Sequence, residues 1–306
     1  MEHLPWNVER VLDIILLKIL NNNIDSRRRP VIIGLTGLQG SGKSTWATAI
    51  IQSLRCNHHL KAIQVSLDDF YLPHEKLVKV KAENLGNQLL RTRGQPGTHD
   101  EELARSFFEN LRSGTQALRL PSFDKSCFNG EGDRVPESSW EVVEAPIEVI
   151  VLEGWCLGFQ PISSEDIKKR RDSARCKSNV EWSESPINTL HQHSVQTLET
   201  LNRSLGRYCE VFMGPQHFDC FIQLTTDRLA NVYNWRTEQE HSLIKSQGSG
   251  MTDEEVACFV LGYMPAYELY LDQLGDGFFG DEKAKDKPHV KVLLGLDREV
   301  ISIRSV

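Results

Sequence analysis

One short stretch, Gly37-Leu38-Gln39-Gly40-Ser41-Gly42-Lys43-Ser44-Thr45, constrains this chain more than any other part of it. It matches G-x-x-x-x-G-K-[S/T], follows the apolar run Val31-Ile32-Ile33-Gly34-Leu35-Thr36, and opens a helical pattern through Trp46, Ala47, Ile50, Ile51 and Leu54. Buried strand, glycine-rich turn and helix, in that order, are what a phosphate-binding loop requires. Glycines let successive backbone N–H groups turn inward around phosphate oxygens, and the helix N-terminus adds a favourable dipole. In such a loop Lys43 reaches the β- and γ-phosphates and the Ser44 hydroxyl holds Mg²⁺. Gly37 to Thr45 are therefore the expected binding residues for ATP.

Three further runs read as buried strands: Ala62 to Leu67, Val149 to Leu152 and Phe221 to Leu224. Their alternation with helical stretches is the βαβ rhythm of a parallel sheet covered on both faces. The expected fold is α/β, a P-loop NTPase three-layer sandwich with a mostly parallel central sheet. At the C-terminal end, 290–296 and 300–303 flank Asp297-Arg298-Glu299 and alternate as a hairpin does. Val11, Ile14, Ile15, Leu17 and Leu20 recur at helical spacing, predicting an amphipathic helix over about 6–20 that stops at the Asn run 21–23. Arg27, Arg28 and Arg29 read as a solvated turn. Residues 1–30 are thus an N-terminal helix and linker, and 31–306 a kinase-type domain. Between about 163 and 199 the chain is polar, with Lys168, Lys169, Arg170 and Arg171 in a row, and reads as a surface insertion, partly disordered.

Acidic residues stand where two of these strands end. The second strand runs into Ser66-Leu67-Asp68-Asp69-Phe70-Tyr71, with room after Lys43 for a helix, a return loop and a strand in a right-handed crossover. Ligands of open α/β sheets gather beyond the carboxyl ends of the strands, so Asp68 and Asp69 should face the phosphates. A carboxylate there accepts or orients an acceptor hydroxyl proton, although capping a turn is the other use of such a pair. The third strand ends in Glu153-Gly154-Trp155, where an acid commonly sits beside the metal, directly or through water, a purely structural cap being the other use, and Gly154 would relieve crowding near the phosphates. There is no Asn-Lys-x-Asp guanine signature, no transporter signature and no Asp-Glu box, which disfavours a GTPase, an ABC subunit and a translocase. A small-molecule kinase remains.

Composition agrees with that reading. Thirty-five basic and 42 acidic side chains leave a net charge of −7, unlike a dedicated nucleic-acid binder. The longest apolar run near the start contains Asp13 and Lys18 and is too short to cross a bilayer, so no membrane partner is expected. The seven cysteines never fall in a Cys-x-x-Cys spacing and suggest neither a disulfide framework nor zinc. The first residues lack a signal or transit pattern, which points to the cytoplasm, with the nucleus accessible.

Ser-x-Asp-x-Phe-Tyr after the loop, with the later Leu-Glu-Gly, resembles the phosphoribulokinase, uridine kinase and pantothenate kinase superfamily. Gly86-Asn87-Gln88-Leu89-Leu90, Arg93-Gly94-Gln95-Pro96-Gly97-Thr98-His99-Asp100, Leu120-Pro121-Ser122-Phe123-Asp124-Lys125-Ser126, Gly130-Glu131-Gly132-Asp133-Arg134 and Tyr233-Asn234-Trp235-Arg236 narrow the resemblance to the D-glycerate 3-kinase family and its fungal members. The match covers most of 31–275, without an evident counterpart for the polar insertion. The resemblance implies that Lys43, Asp68 and Arg236 are catalytic, Asp68 as base and Arg236 on a mobile lid over ATP. It implies that Asp100, Asp124, Lys125 and Arg134 shape the acceptor site and that Ser44 and Glu153 attend Mg²⁺. Glycerate carries a carboxylate, for which Arg91, Arg93, Lys125 and Arg134 are available cations. Phe70, Tyr71, Trp155 and Phe159 could wall its pocket or belong to the core, and His99 could bond substrate or cap a turn. Two alternatives stay open: a same-fold kinase for another metabolite, and a vestigial ATP-binding regulatory protein.

Overall fold

The structure, a computed structural model, describes residues 3–24, 29–114, 116–177, 188–280 and 287–306. The described residues form ten strands: β1 (Val31–Gly37), β2 (Ala62–Ser66), β3 (Leu118–Leu120), β4 (Phe123–Asp124), β5 (Asp133–Arg134), β6 (Glu141–Val143), β7 (Val149–Gly154), β8 (Cys220–Thr225), β9 (His289–Leu294) and β10 (Val300–Ser305). The helices are α1 (Leu4–Ile24), α2 (Lys43–Cys56), α3 (His74–Glu83), α4 (Glu101–Ser113), α5 (Ser164–Lys177), α6 (Val195–Tyr208), α7 (Asn231–Gln247), α8 (Asp253–Leu261) and α9 (Met264–Gly275).

The central sheet has the order β10-β9-β8-β1-β7-β2, parallel throughout except for β10, which turns back antiparallel on β9. Every residue of β1, β7 and β8 is buried, as expected of strands covered on both faces. The expected mostly parallel α/β sheet is therefore observed, and so is the C-terminal hairpin. Because β1, β2 and β7 are parallel neighbours, their C-terminal ends lie together, which brings Gly37, Ser66 and Glu153 to one edge.

Three sequence expectations need revision. Helix α1 does not stop at the Asn run but continues to Ile24. Asn is only a mild helix breaker, and Val8, Val11, Leu12, Ile15 and Ile19 are fully buried in the same core as the sheet, which anchors the helix. Arg29 is exposed but not free: its guanidinium makes a bidentate pair with the buried Asp219 at 2.6 and 2.9 Å. Arg27 and Arg28 lie outside the described residues. The polar stretch 163–199 holds α5 and the start of α6, and it buries Ile167, Leu190 and Leu198. Two of its basic row are tied down as well, Arg170 donating to the Glu268 carbonyl and Arg171 to that of His193, while Lys168 and Lys169 are exposed. A low apolar content was misleading because two buried side chains on α5, Ile167 and Ala174, together with hydrogen bonds to neighbouring backbone, are enough to seat the helix. Residues 178–187 lie outside the described residues.

Candidate active site

The site is built on three strand ends. Beyond β1 the loop passes through Gly40 and Gly42 at φ +75° and +89°, the left-handed region where a Cβ is unfavourable. Gly40 is also a steric necessity: a Cβ would lie 2.7 Å from the Trp235 Cβ and 3.0 Å from the Arg236 nitrogen, because α7 rests on the loop. Gly42 caps α2 with no side-chain hydrogen bond, leaving the first N–H groups of the helix free for an anion. Lys43 donates to the Leu38 carbonyl at 3.0 Å. Burial pushes its ammonium below the usual lysine range, against the pull of Glu153 and Asp68.

At the end of β7, Glu153 is 7% exposed and accepts bonds from the Ser44 and Ser66 hydroxyls, both at 3.1 Å on the same oxygen. Beyond β2, Asp68 receives the Lys125 ammonium at 2.5 Å on one oxygen and the Tyr71 hydroxyl at 3.0 Å on the other. Burial acts to raise the Asp68 carboxyl, but Lys125, His99 and the Tyr71 bond outweigh it and hold the group below its ordinary value. A cavity of about 420 Å³ joins these groups, with Gly42, Lys43, Asp68, Lys125, Glu153 and Arg298 on its wall. It places a phosphate cradle, a carboxylate–hydroxyl pair and an ionised carboxylate around one volume.

The structure separates other residues that the sequence grouped together. Asp69 does not face the phosphates; its carboxylate accepts from the Phe123 nitrogen at 3.3 Å, and burial, reinforced by Asp68, pushes it up to about 6. Asp100 caps α4 through the Leu103 nitrogen and pairs with Arg134 at 3.0 Å, while Arg134 also donates to the Tyr71 carbonyl at 2.7 Å. That pair braces the Tyr71 backbone and does not line the cavity. Asp124 is exposed, and it accepts from the Ser126 nitrogen and hydroxyl at 2.8 and 2.6 Å, closing a turn next to Lys125. Of the four expected acceptor residues, Lys125 alone lines the cavity. Arg236 pairs with the buried Glu240 at 2.7 Å and stacks on Phe259, and it is not on the wall of the cavity. Arg298 does line the cavity, donating to the Gly40 carbonyl at 2.7 Å, to Glu238 at 2.6 Å and to the Trp235 carbonyl at 2.9 Å. Nothing local in the sequence signals this role, since the hairpin turn and Gly40 meet only in three dimensions.

Among the aromatic residues, Trp155 lines the cavity and Tyr71 reaches Asp68, whereas Phe70 and Phe159 belong to the core. Gly154 relieves crowding, though against the Leu67 Cβ at 2.7 Å rather than at the phosphates. His99 is buried against Tyr71, its ring centroid 4.4 Å away, and its Nδ1 lies 3.1 Å from the Tyr208 hydroxyl. Burial lowers its pKa to about 4, so it is neutral near pH 7. Arg93 donates to the Gly130 and Glu131 carbonyls, and Arg91 is exposed.

A parallel sheet with this loop and these acidic strand ends defines the class: a P-loop kinase. Comparison with known proteins then supplies the family. No family model matches the chain. The "Uncharacterized kinase mug58" of Schizosaccharomyces pombe is 36% identical over 272 residues, covering 88% of this chain and 91% of that protein. The chloroplastic D-glycerate 3-kinase of Arabidopsis thaliana is 33% identical over 248 residues, 80% of this chain and 48% of the plant protein. The structure of D-glycerate 3-kinase from Cryptococcus neoformans superposes with a TM-score of 0.85 at 30% identity, covering 98% of this chain and 99% of that one. The chain belongs to this family of ATP-dependent kinases.

Proposed function

We propose that the chain transfers the γ-phosphate of ATP to D-glycerate, forming 3-phosphoglycerate and ADP. The observation that carries this reading is the Asp68–Lys125 pair set across one cavity from Lys43 and the loop. Asp68 accepts the proton of the acceptor hydroxyl as its oxygen attacks the γ-phosphorus and the bond to the β-phosphate oxygen breaks. Lys43 balances negative charge on the transferring group, the usual source of most of the acceleration in phosphoryl transfer. Lys125 supplies positive charge on the acceptor side, where glycerate carries its carboxylate. The acceptor itself is inferred from the two relatives named as D-glycerate 3-kinases.

Ser44 and Glu153 fit a Mg²⁺ ion. Among the described residues the nearly buried Glu153 carboxylate meets only hydroxyl partners, and a hydroxyl with a carboxylate is the hard oxygen set that Mg²⁺ takes alongside phosphates and water. When bound, the ion neutralises phosphate charge.

The test is a coupled ADP-release assay on the purified protein with D-glycerate, other sugar acids, nucleosides and pantothenate as acceptors. D-Glycerate should give the highest kcat/KM. Turnover on a different acceptor would reassign the substrate, and ATP binding without turnover on any would favour a regulatory role.

A further inference from the structure

Behind the Asp68 carboxylate lies a line of buried rings that do not themselves touch the cavity. Tyr71, whose hydroxyl donates to Asp68 at 3.0 Å, has His99 stacked on its ring at a centroid distance of 4.4 Å and an interplanar angle of 26°, with Phe123 set edge-on at 5.3 Å. The backbones of Tyr71 and His99 are bridged as well, Leu72 donating to the Thr98 carbonyl at 3.0 Å and Asp100 to that of Phe70 at 2.7 Å. His99 is in turn tied to Tyr208, a fully buried residue of α6.

Counting donors fixes the state of this histidine. The Tyr208 oxygen accepts from the Gly97 and His99 nitrogens at 2.7 and 3.0 Å, which leaves its own hydrogen for His99 Nδ1 at 3.1 Å. Nδ1 is then an acceptor, and the neutral ring carries its proton on Nε2. That Nε2 is buried and has no hydrogen-bond partner among the described residues. Buried donors without partners are costly and uncommon. A phenyl ring would stack on Tyr71 equally well and leave no donor unpaired. What it would lack is Nδ1, the atom whose bond to Tyr208 stops the ring from turning about its χ2 axis.

We propose that His99 is a positioning residue for the reaction: tethered by Tyr208, it holds the plane of Tyr71, and Tyr71 holds the Asp68 carboxylate in the orientation that meets the acceptor hydroxyl. The inference rests on the reading of Asp68 as the base. His99→Phe keeps a stacked ring and removes Nδ1, whereas Tyr208→Phe removes the tether from its other end. Both are compared with wild type, with Tyr71→Phe and with the His99→Phe/Tyr71→Phe double variant, for kcat, for the acid limb of log(kcat/KM) and, by calorimetry, for ATP affinity. We expect kcat to fall about tenfold to a hundredfold in His99→Phe and Tyr208→Phe, as misplacement of a reacting group does, with ATP affinity unchanged. A loosened Tyr71 bond stabilises the Asp68 anion less, so the acid limb should move upward, which a packing defect alone would not cause. Because the effect passes through Tyr71, the double variant should be about as slow as Tyr71→Phe alone. Wild-type kcat and acid limb in both His99→Phe and Tyr208→Phe would overturn the proposal, as would losses that multiply in the double variant or an ATP affinity that falls with kcat. Should the variants not fold, nitrogen NMR of the wild-type protein decides: a His99 proton on Nε2 supports the tether, and one on Nδ1 overturns it. Absence of wild-type turnover on every acceptor would overturn the kinase reading and this proposal with it, whereas a turning-over wild type with unaffected variants overturns the proposal alone.

Discussion

Asp68 is held ionised by its neighbours, and that has a measurable consequence. Because the Lys125 and Tyr71 contacts outweigh burial, its protonation falls below the ordinary aspartate range of about 3.9. The acid limb of log(kcat/KM) arising from Asp68 should therefore lie below pH 4. Lys125→Met removes the main opposing charge, leaves burial to act, and should move that limb upward; a profile unchanged in the variant would contradict the assignment. Asp68→Asn should lower kcat by about a hundredfold or more while ATP affinity stays near wild type, as loss of a positioned base does. Lys43→Ala differs in kind, since it should weaken ATP binding along with turnover, measurable by calorimetry beside the rate. The motifs made Lys43, Ser44, Asp68 and Glu153 legible because each follows a strand end within a recognisable local pattern. Arg236 and Arg298 were not legible: which of two cations faces the loop depends on the Glu240 carboxylate one turn along α7 and on a hairpin far away in sequence.

At the scale of elements, α7 and the C-terminal hairpin act as a strap over the loop. Arg298 links the Gly40 carbonyl, Glu238 and the Trp235 carbonyl, and Gly40 gives α7 room to approach. Gly40→Ala adds a methyl group where Trp235 already lies at 2.7 Å and places it in a left-handed conformation. The conformational part alone costs about 1–2 kcal/mol. The variant should bind ATP more weakly and melt at a lower temperature, whereas the same change at Gly86, where a Cβ would meet open space, should leave ATP affinity unaltered. Titration calorimetry on both variants decides this. The polar stretch before α6 illustrates how element boundaries escape sequence reading: Ile167 and Ala174 on α5 are a weak periodic signal, but Arg170 and Arg171 secure the helix through backbone carbonyls that no pattern reveals.

Over the whole molecule, one apolar core runs from α1 through the sheet to α9. Ile15→Ala on α1 should therefore destabilise the protein by about 2–5 kcal/mol, read as a lower urea midpoint, despite its distance in sequence from the catalytic motifs. The buried titratable groups give a pH dependence whose sign can be worked out. Burial lowers His99 and His289 to about 4, so the unfolded chain binds their protons first, and their contribution is lost as pH falls from about 6.5 to about 4. Asp69, raised to about 6, acts oppositely, its contribution present in acid and lost as pH rises through 6. His193 and His217 are lowered by burial as well and Glu268 is raised, so four histidines against two carboxyls leave the protein less stable to urea at pH 5 than at pH 7. Asp69→Asn should steepen that loss, and a protein more stable at pH 5 would contradict this balance.

What the sequence determined by itself was local: a phosphate loop between strand and helix, acids at strand ends, and the alternation that makes a parallel sheet. These are legible because backbone conformation and hydrophobic period are written over a few neighbouring residues. Tertiary structure decided which charged groups meet. It turned Asp100 and Arg134 into a brace behind Tyr71, left Lys125 facing Asp68, and set Arg298, not Arg236, on the cavity wall against the loop. Those pairings depend on chain crossings and on the burial that strengthens a charge contact once water is excluded, quantities that exist only after the sheet has assembled.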